Sequence, residues 1–253
     1  MSDAFHILGP LDAPVLIVAD HASNRVPPGV ELGIAPRHLE EHIAVDIGVA
    51  QVSENLVAGG GFQAILANVS RLVIDFNREP DSPGLIPVES DGIRVPANAG
   101  ADRAGRIRDW FDPYHAAVEE LANAKHAPFI LSIHSFTPSL ATRPQEARPW
   151  EIGILYNEDE RAAPIAIAAL RERGLNVGDQ QPYSGRLLNA TMNRHAEAHG
   201  RHYLGVEIRQ DLILEAAGQR AFADHLRHAV EAVRRALPDR CLHVPVAWPK
   251  ARP

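Results

Sequence analysis

The stretch Val15-Leu16-Ile17-Val18-Ala19-Asp20-His21-Ala22-Ser23-Asn24-Arg25 decides how the rest of the chain is read. Five consecutive apolar residues are the signature of a strand buried on both faces, and the run stops abruptly at short polar groups. Asp20, His21, Ser23 and Asn24 therefore sit at the carboxyl end of a buried strand. In open α/β sheets that edge is where ligands bind. A turn in which Asp20, Ser23 and Asn24 only satisfy backbone groups is the competing account.

Three further stretches end the same way. Gln63–Val69 and Arg71–Phe76 read as two strands or one bent strand, the second carrying Asp75, Asn77 and Arg78 at its far end. Residues 128–136 form another apolar strand ending at His134 and Ser135, and Tyr203–Ile208 a last one ending in Glu207 and Arg209, with Asp211 beyond. One polar strand end is ordinary, but four that meet at one sheet edge call for more than turn chemistry. Two imidazoles and an oxygen ligand make a typical open metal site with a glutamate as general base. An arginine beside it holds a carboxylate through a bidentate pair.

Between these strands the pattern is helical. Pro36 opens a helix expected to run to about Ala58, 101–125 is helical with a division at Pro113, and Asp159–Arg173, Asn189–His199 and Glu215–Leu237 are the other helices. Glu151–Tyr156 adds a strand. Strands alternating with helices at uneven spacing predict a three-layer α/β sandwich with a mixed central sheet, as a single domain over 1–253. The proline- and glycine-rich segment 79–100 is expected to cover the active site.

Composition sets the outer limits. Twenty-five Lys and Arg against 32 Asp and Glu give a formal charge of −7, which argues against nucleic acid or an anionic membrane as partner. Cys241 is the only cysteine, so an intrachain disulfide and a thiolate zinc site are both excluded. No apolar run reaches the roughly 20 residues of a membrane helix and the N-terminus lacks a signal pattern, so a cytoplasmic protein is expected. No glycine-rich phosphate loop is present, nor a Gly-x-Ser-x-Gly elbow, although Ser23 and Ser135 keep a serine hydrolase in view. His38-Leu39-Glu40-Glu41-His42 matches a short metalloprotease pattern that also arises by chance. His195 and His199 are read as an exposed helix end, and His225 and His228 as surface.

Five ordered motifs carry a resemblance. Asp20 to Pro27, His42 to Gly48, Ser70 to Arg78, Ile133 to Pro138 and Glu207 to Ile213 resemble the N-formylglutamate amidohydrolase family, over about residues 12–235. That family is distantly similar to zinc carboxypeptidases and aspartoacylase-type deacylases. The resemblance implies a phosphorylase/hydrolase-like fold, a divalent metal, most simply Zn²⁺, and hydrolysis of a linear amide such as N-formyl-L-glutamate to formate and glutamate. It implies His21 and His134 as metal ligands and Glu207 as the catalytic base. Asn77, Arg78, Ser23, Asn24, Ser135, Tyr183 and Arg209 become the substrate-binding set. The related deacylases carry His-x-x-Glu, whereas this chain has Asn24 where that glutamate stands; the third ligand is left open by that departure, with Asp46 the candidate ahead of Asn24. A carboxylate-binding protein without catalysis is the alternative from another class.

Overall fold

Seven strands form one mixed sheet in the order β1-β3-β2-β6-β9-β7-β8. They are β1 (Phe5–Leu8), β2 (Val15–Ala19), β3 (Phe62–Ala67), β6 (Phe129–Phe136), β7 (Ile152–Leu155), β8 (Val177–Asp179) and β9 (Tyr203–Arg209). A separate hairpin pairs β4 (Glu89–Ser90) with β5 (Ile93–Arg94). The helices are α1 (Val49–Ala58), α2 (Arg103–Arg106), α3 (Asp112–Asn123), α4 (Ala163–Glu172), α5 (Ala190–His195) and α6 (Ala216–Ala236). The structure is a computed structural model that describes residues 3–124 and 129–237. Lys125, Pro128 and Cys241 lie outside the described residues.

Strands β3, β2, β6 and β9 run parallel, while β1 pairs antiparallel with β3 and β7 antiparallel with β9, β8 then lying parallel to β7. The four parallel strands therefore end together at one edge. Alternation along β2 sends Val15, Ile17 and Ala19 to one face and Leu16 and Val18 to the other. The first face packs on α1, α4 and α6 through Val52, Leu56, Ile167, Leu170, Leu226 and Val230. The second packs on α3, α5 and the segment around residue 74, through Tyr114, Val118, Met192, Ile74 and Phe76. Two apolar cores sandwiching a sheet make the three-layer α/β architecture. Among the described residues no helix is long and apolar enough to cross a membrane.

Several expected elements differ, each for a physical reason. The helix anticipated from Pro36 exists only as a 3₁₀ turn over Pro36–Glu40 and as α1. Between them the Asp46 N–H bonds the His21 carbonyl at 2.9 Å, tying this chain to the end of β2. Gly48, at φ +82°, then turns it into α1 where a Cβ would lie 2.4 Å from the Ile213 carbonyl oxygen. Arg71–Phe76 is not a strand: Val73 and Ile74 both donate to the Ser70 carbonyl, so the run is a series of turns. Its apolar residues are buried all the same, which is why hydrophobicity alone suggested a strand. The division anticipated at Pro113 is a π turn over Ile107–Phe111, and the proline stands in the first turn of α3.

Segment 79–100 does not cover the pocket described below. Leu85, Ile86 and Val95 are buried in the second core, and Asn98 donates to the carbonyls of Leu72 and Pro87. It is scaffold beneath the strand-end turns. His195 is likewise buried, bonded to His115 at 2.9 Å and to Glu119 at 3.0 Å, because α5 packs on α3. His199 is exposed.

Gly153 of β7 lies opposite Glu207 in the ladder, and an added Cβ would fall 2.0 Å from the Gln181 carbonyl oxygen. That closeness lets the loop carrying Tyr183 cross the sheet edge. Gly153→Ala should lower stability by about 2 kcal/mol, in the range for overpacking a tight site. Urea unfolding reads this directly, and a midpoint equal to that of the parent would contradict the packing.

Candidate active site

Adjacent parallel strands deliver the central groups. His134 and Glu207 are direct register partners on β6 and β9, so their side chains leave the same face of the sheet. His21 follows the end of β2, the strand on the other side of β6. Asp46 arrives from the tethered segment before α1. His21, Asp46 and His134 are all buried, and one ligand atom from each lies within 4.8 Å of the others.

Hydrogen bonds orient both rings. His21 Nε2 lies 2.7 Å from Asp75 Oδ1, and a carboxylate there accepts the Nε2 proton, which frees Nδ1 to face Asp46 Oδ2 at 3.3 Å. His134 Nδ1 lies 2.8 Å from the same Asp46 oxygen. Behind its Nε2, at 3.6 Å, is Asp20 Oδ2, a buried oxygen that has no hydrogen bond among the described residues. His21 thus has a hydrogen-bonded carboxylate on its outer nitrogen, while the outer nitrogen of His134 lies 3.5 Å from Asn77 Nδ2 with Asp20 just beyond hydrogen-bond reach, and each ring turns its other nitrogen toward Asp46. A carboxylate bonded behind the ring, as at His21, is how metal-binding histidines are held in tautomer and orientation.

Arg71 completes the inner layer, donating to Asp46 Oδ1 at 3.2 Å and to Asp75 Oδ2 at 2.9 Å. Four carboxylates, Asp20, Asp46, Asp75 and Glu207, converge, and among the described residues Arg71 and Arg78 are the permanent cations paired with them. The consequences fall on the histidines. Burial opposes a charged ring at His134, yet the Asp46 carboxylate overrides it and raises the pKa to about 9. At His21 burial and Arg71 push the value down, and Asp75 and Asp46 push it up further. The donor cluster therefore attracts positive charge, and two imidazoles with a carboxylate suit a borderline divalent ion.

Glu207 behaves oppositely. Burial raises its pKa to about 7, against the pull of His134. Its Oε2 is buried with no hydrogen-bond partner among the described residues. A desolvated carboxyl that is half ionised near neutrality can exchange a proton with a reacting group.

These groups line a pocket of about 160 Å³, smaller than the roughly 300–1,000 Å³ of drug-sized sites. Its wall also includes Asn77, Arg78, Ser135, Tyr183, His42, Arg71, Leu188 and Asn189. Asn77 accepts from the Thr191 N–H, and Arg78 Nε stands 3.7 Å from Asp75 Oδ2. The structure leaves Ser23, Asn24 and Arg209 outside. Ser23 Oγ accepts from the Arg25 N–H, Asn24 donates to Glu40, and Arg209 pairs with Asp211 at 2.8 Å. Turn chemistry and surface pairing engage these three side chains away from the pocket. His38 bonds Glu41 while His42 bonds Asp91 of the β4–β5 hairpin, so the two ends of that pattern point to different partners.

Asp20, Arg71, His42 and Asn189 join the site outside the roles assigned from sequence: Asp20 reads there as a strand-end polar group and His42 as part of a metalloprotease pattern. Asp20 and Arg71 stood inside two of the strand-end motifs, as acid and base at the margins of apolar runs. Asn189 gave no signal, since only the folding of α5 against the pocket brings it there.

Comparison gives this arrangement a class. The chain belongs to the N-formylglutamate amidohydrolase family, hydrolases acting on amides, whose family model matches residues 13–214. Among solved structures, a gene product of Agrobacterium tumefaciens, Atu2144, is 31% identical with a TM-score of 0.84, covering 92% of this chain and 96% of its own. An N-formylglutamate amidohydrolase from Ralstonia eutropha JMP134 shares the fold at 22% identity and TM-score 0.71, covering 93% and 100%. No functionally curated sequence matches the chain significantly.

The Arg71 guanidinium bridges the two buried carboxylates Asp46 and Asp75. Removing one partner of a buried ion pair leaves an uncompensated charge. Arg71→Met should therefore cost the metal-free protein about 3 kcal/mol in chemical denaturation. A change below experimental error would show that the carboxylates do not depend on it.

Proposed function

We propose that the protein is a metal-dependent amidohydrolase that cleaves the linear amide of an N-acyl amino acid, N-formyl-L-glutamate or a close analogue. His21 Nδ1, His134 Nδ1 and the Asp46 carboxylate would hold the divalent ion, with Zn²⁺ the natural occupant of a site without thiolate. The observation that carries this reading is the convergence of these three donors beside Glu207, whose carboxylate oxygen has no partner of its own. When bound, such an ion supplies Lewis-acid polarisation of a carbonyl and acidifies water.

The chain's own residues do the rest. Glu207 accepts a proton at its unpaired Oε2 and returns it to the leaving amine, a role suited to a pKa of about 7. Arg78 offers a planar fork to the substrate carboxylate at the pocket wall, with Asn77 beside it. Tyr183 and Ser135 complete the lining, and a pocket this small suits a substrate of amino-acid size. Ser23, Asn24 and Arg209 take no part. A serine mechanism lacks support, because the Ser135 hydroxyl donates to the Ile47 carbonyl at 3.0 Å and Ser23 lies outside the pocket.

Two measurements test the reading. Protein purified without chelator should carry about one equivalent of divalent metal, and the His21→Ala, His134→Ala double variant should carry none. Equal metal in both would put the ion elsewhere. Glu207→Gln keeps the shape but cannot accept a proton, so it should retain metal while kcat on the best N-acyl amino acid falls about 10²- to 10⁴-fold. Full activity in the metal-loaded variant would remove Glu207 from the reaction.

A further inference from the structure

Two loops meet above the pocket. The segment after β6 carries Arg148, and the one after β8 carries Tyr183. The Arg148 side chain is completely buried. Its Nε and Nη2 donate to Glu146 Oε1 at 3.2 and 3.0 Å, and its Nη1 donates to the Thr137 carbonyl at 3.3 Å and to Tyr183 Oη at 3.0 Å. The guanidinium carbon also stands 5.1 Å from the centre of the Tyr183 ring. A buried cation that spends its donors on a single tyrosine and two points of its own loop fixes that tyrosine in place.

The hydrogen-bond chemistry of the pair is asymmetric. Arginine can only donate, so Tyr183 Oη must accept, and the phenol's own proton remains to be placed. Burial, reinforced by the Glu207 carboxylate, raises the phenol above its ordinary pKa, so the proton is retained at neutral pH. Tyr183 lines the pocket, and none of its hydrogen bonds among the described residues uses that proton. The acceptor has to come from what enters the pocket.

We propose that Arg148 is a positioning residue that, by occupying the acceptor side of Tyr183 Oη, commits this tyrosine to donate a hydrogen bond to an oxygen of the bound substrate. The inference rests on the N-acyl amino acid reading of the pocket for the identity of that oxygen, but its first link, Arg148 to Tyr183, is testable without any substrate. It deepens the account of specificity: ligands that present a carboxylate or carbonyl oxygen at this wall are favoured over those that present an N–H. A donor aimed at another donor leaves both unpaired.

The experiment has two independent arms. In the first, the four tyrosines are replaced by 3-fluorotyrosine and the ¹⁹F resonance of Tyr183, assigned through Tyr183→Phe, is followed against pH. A donor to Oη stabilises the phenolate, so Arg148→Met should move the Tyr183 midpoint upward by at least about half a pH unit and leave the other three in place. In the second, kcat and KM of the metal-loaded protein are measured on its best N-acyl amino acid. Tyr183→Phe and Arg148→Met should each lower kcat/KM about 10- to 100-fold, as for a hydrogen bond to a charged group, and the double variant should be no worse than Tyr183→Phe alone. Where the methionine variant does not fold, Arg148→Lys serves both arms, because a single ammonium cannot satisfy Glu146, Thr137 and Tyr183 together. An unmoved ¹⁹F midpoint, or losses that multiply in the double variant, would overturn the assignment. If no N-acyl amino acid is hydrolysed, it is the proposed function that fails, and the fluorine titration still decides the Arg148–Tyr183 link.

Discussion

A single carboxylate oxygen, Asp46 Oδ2, faces two imidazole nitrogens in the interior of this protein, and the rest of the site is arranged to make that tolerable. Burying an ion without a partner is costly, and the charges closest to Asp46 are answered by others. Arg71 answers Asp46 and Asp75, and Asp75 answers His21. Asp20 anchors through the Tyr114 hydroxyl and leaves its second oxygen toward His134. Acidic groups outnumber the fixed cations, and the centre of the cluster is left electrostatically ready for a positive ion.

Sheet topology is what makes the meeting possible. Because β2, β6 and β9 are parallel neighbours, their carboxyl ends coincide, and a histidine, a histidine and a glutamate far apart in the chain emerge side by side. The apolar cores on both faces of these strands also desolvate what emerges. The same burial that makes the strands stable raises the Glu207 carboxyl toward neutrality, so its reactivity follows from its position in the sheet. Stability and chemistry are here two effects of one layer of apolar residues.

The mouth of the pocket is built differently. Loops after β6 and β8 close over it, held by a buried arginine in one and admitted by Gly153 beneath the other. Loops positioned by a rigid scaffold are where pockets of one fold diverge, and in this chain the rigidity reaches into the loop through Arg148. The segment 79–100, by contrast, spends its apolar residues on the core, and meets the site through the Asp91–His42 pair and through the Leu85 carbonyl, which accepts from the Asp75 N–H.

By itself the sequence determined the α/β class, the buried strands and the polar groups at their ends, because both-face burial and its abrupt termination are written in consecutive residues such as Val15 to His21. The five motifs carried the family for the same reason: each is a strand end or turn whose chemistry is local. What tertiary structure alone decided is which of those groups meet. Ser23 and Asn24 stand two and three residues from His21 and yet bond elsewhere, Ser23 to the Arg25 N–H and Asn24 to Glu40, while Arg71 and Asn189 arrive from distant segments. Leu72 to Phe76 are buried without forming a strand, because burial depends on what packs around a segment and a ladder needs a free edge to pair with. The state of Glu207 was equally invisible in its neighbours along the chain: a carboxyl's pKa is set by the water and charge around it in three dimensions.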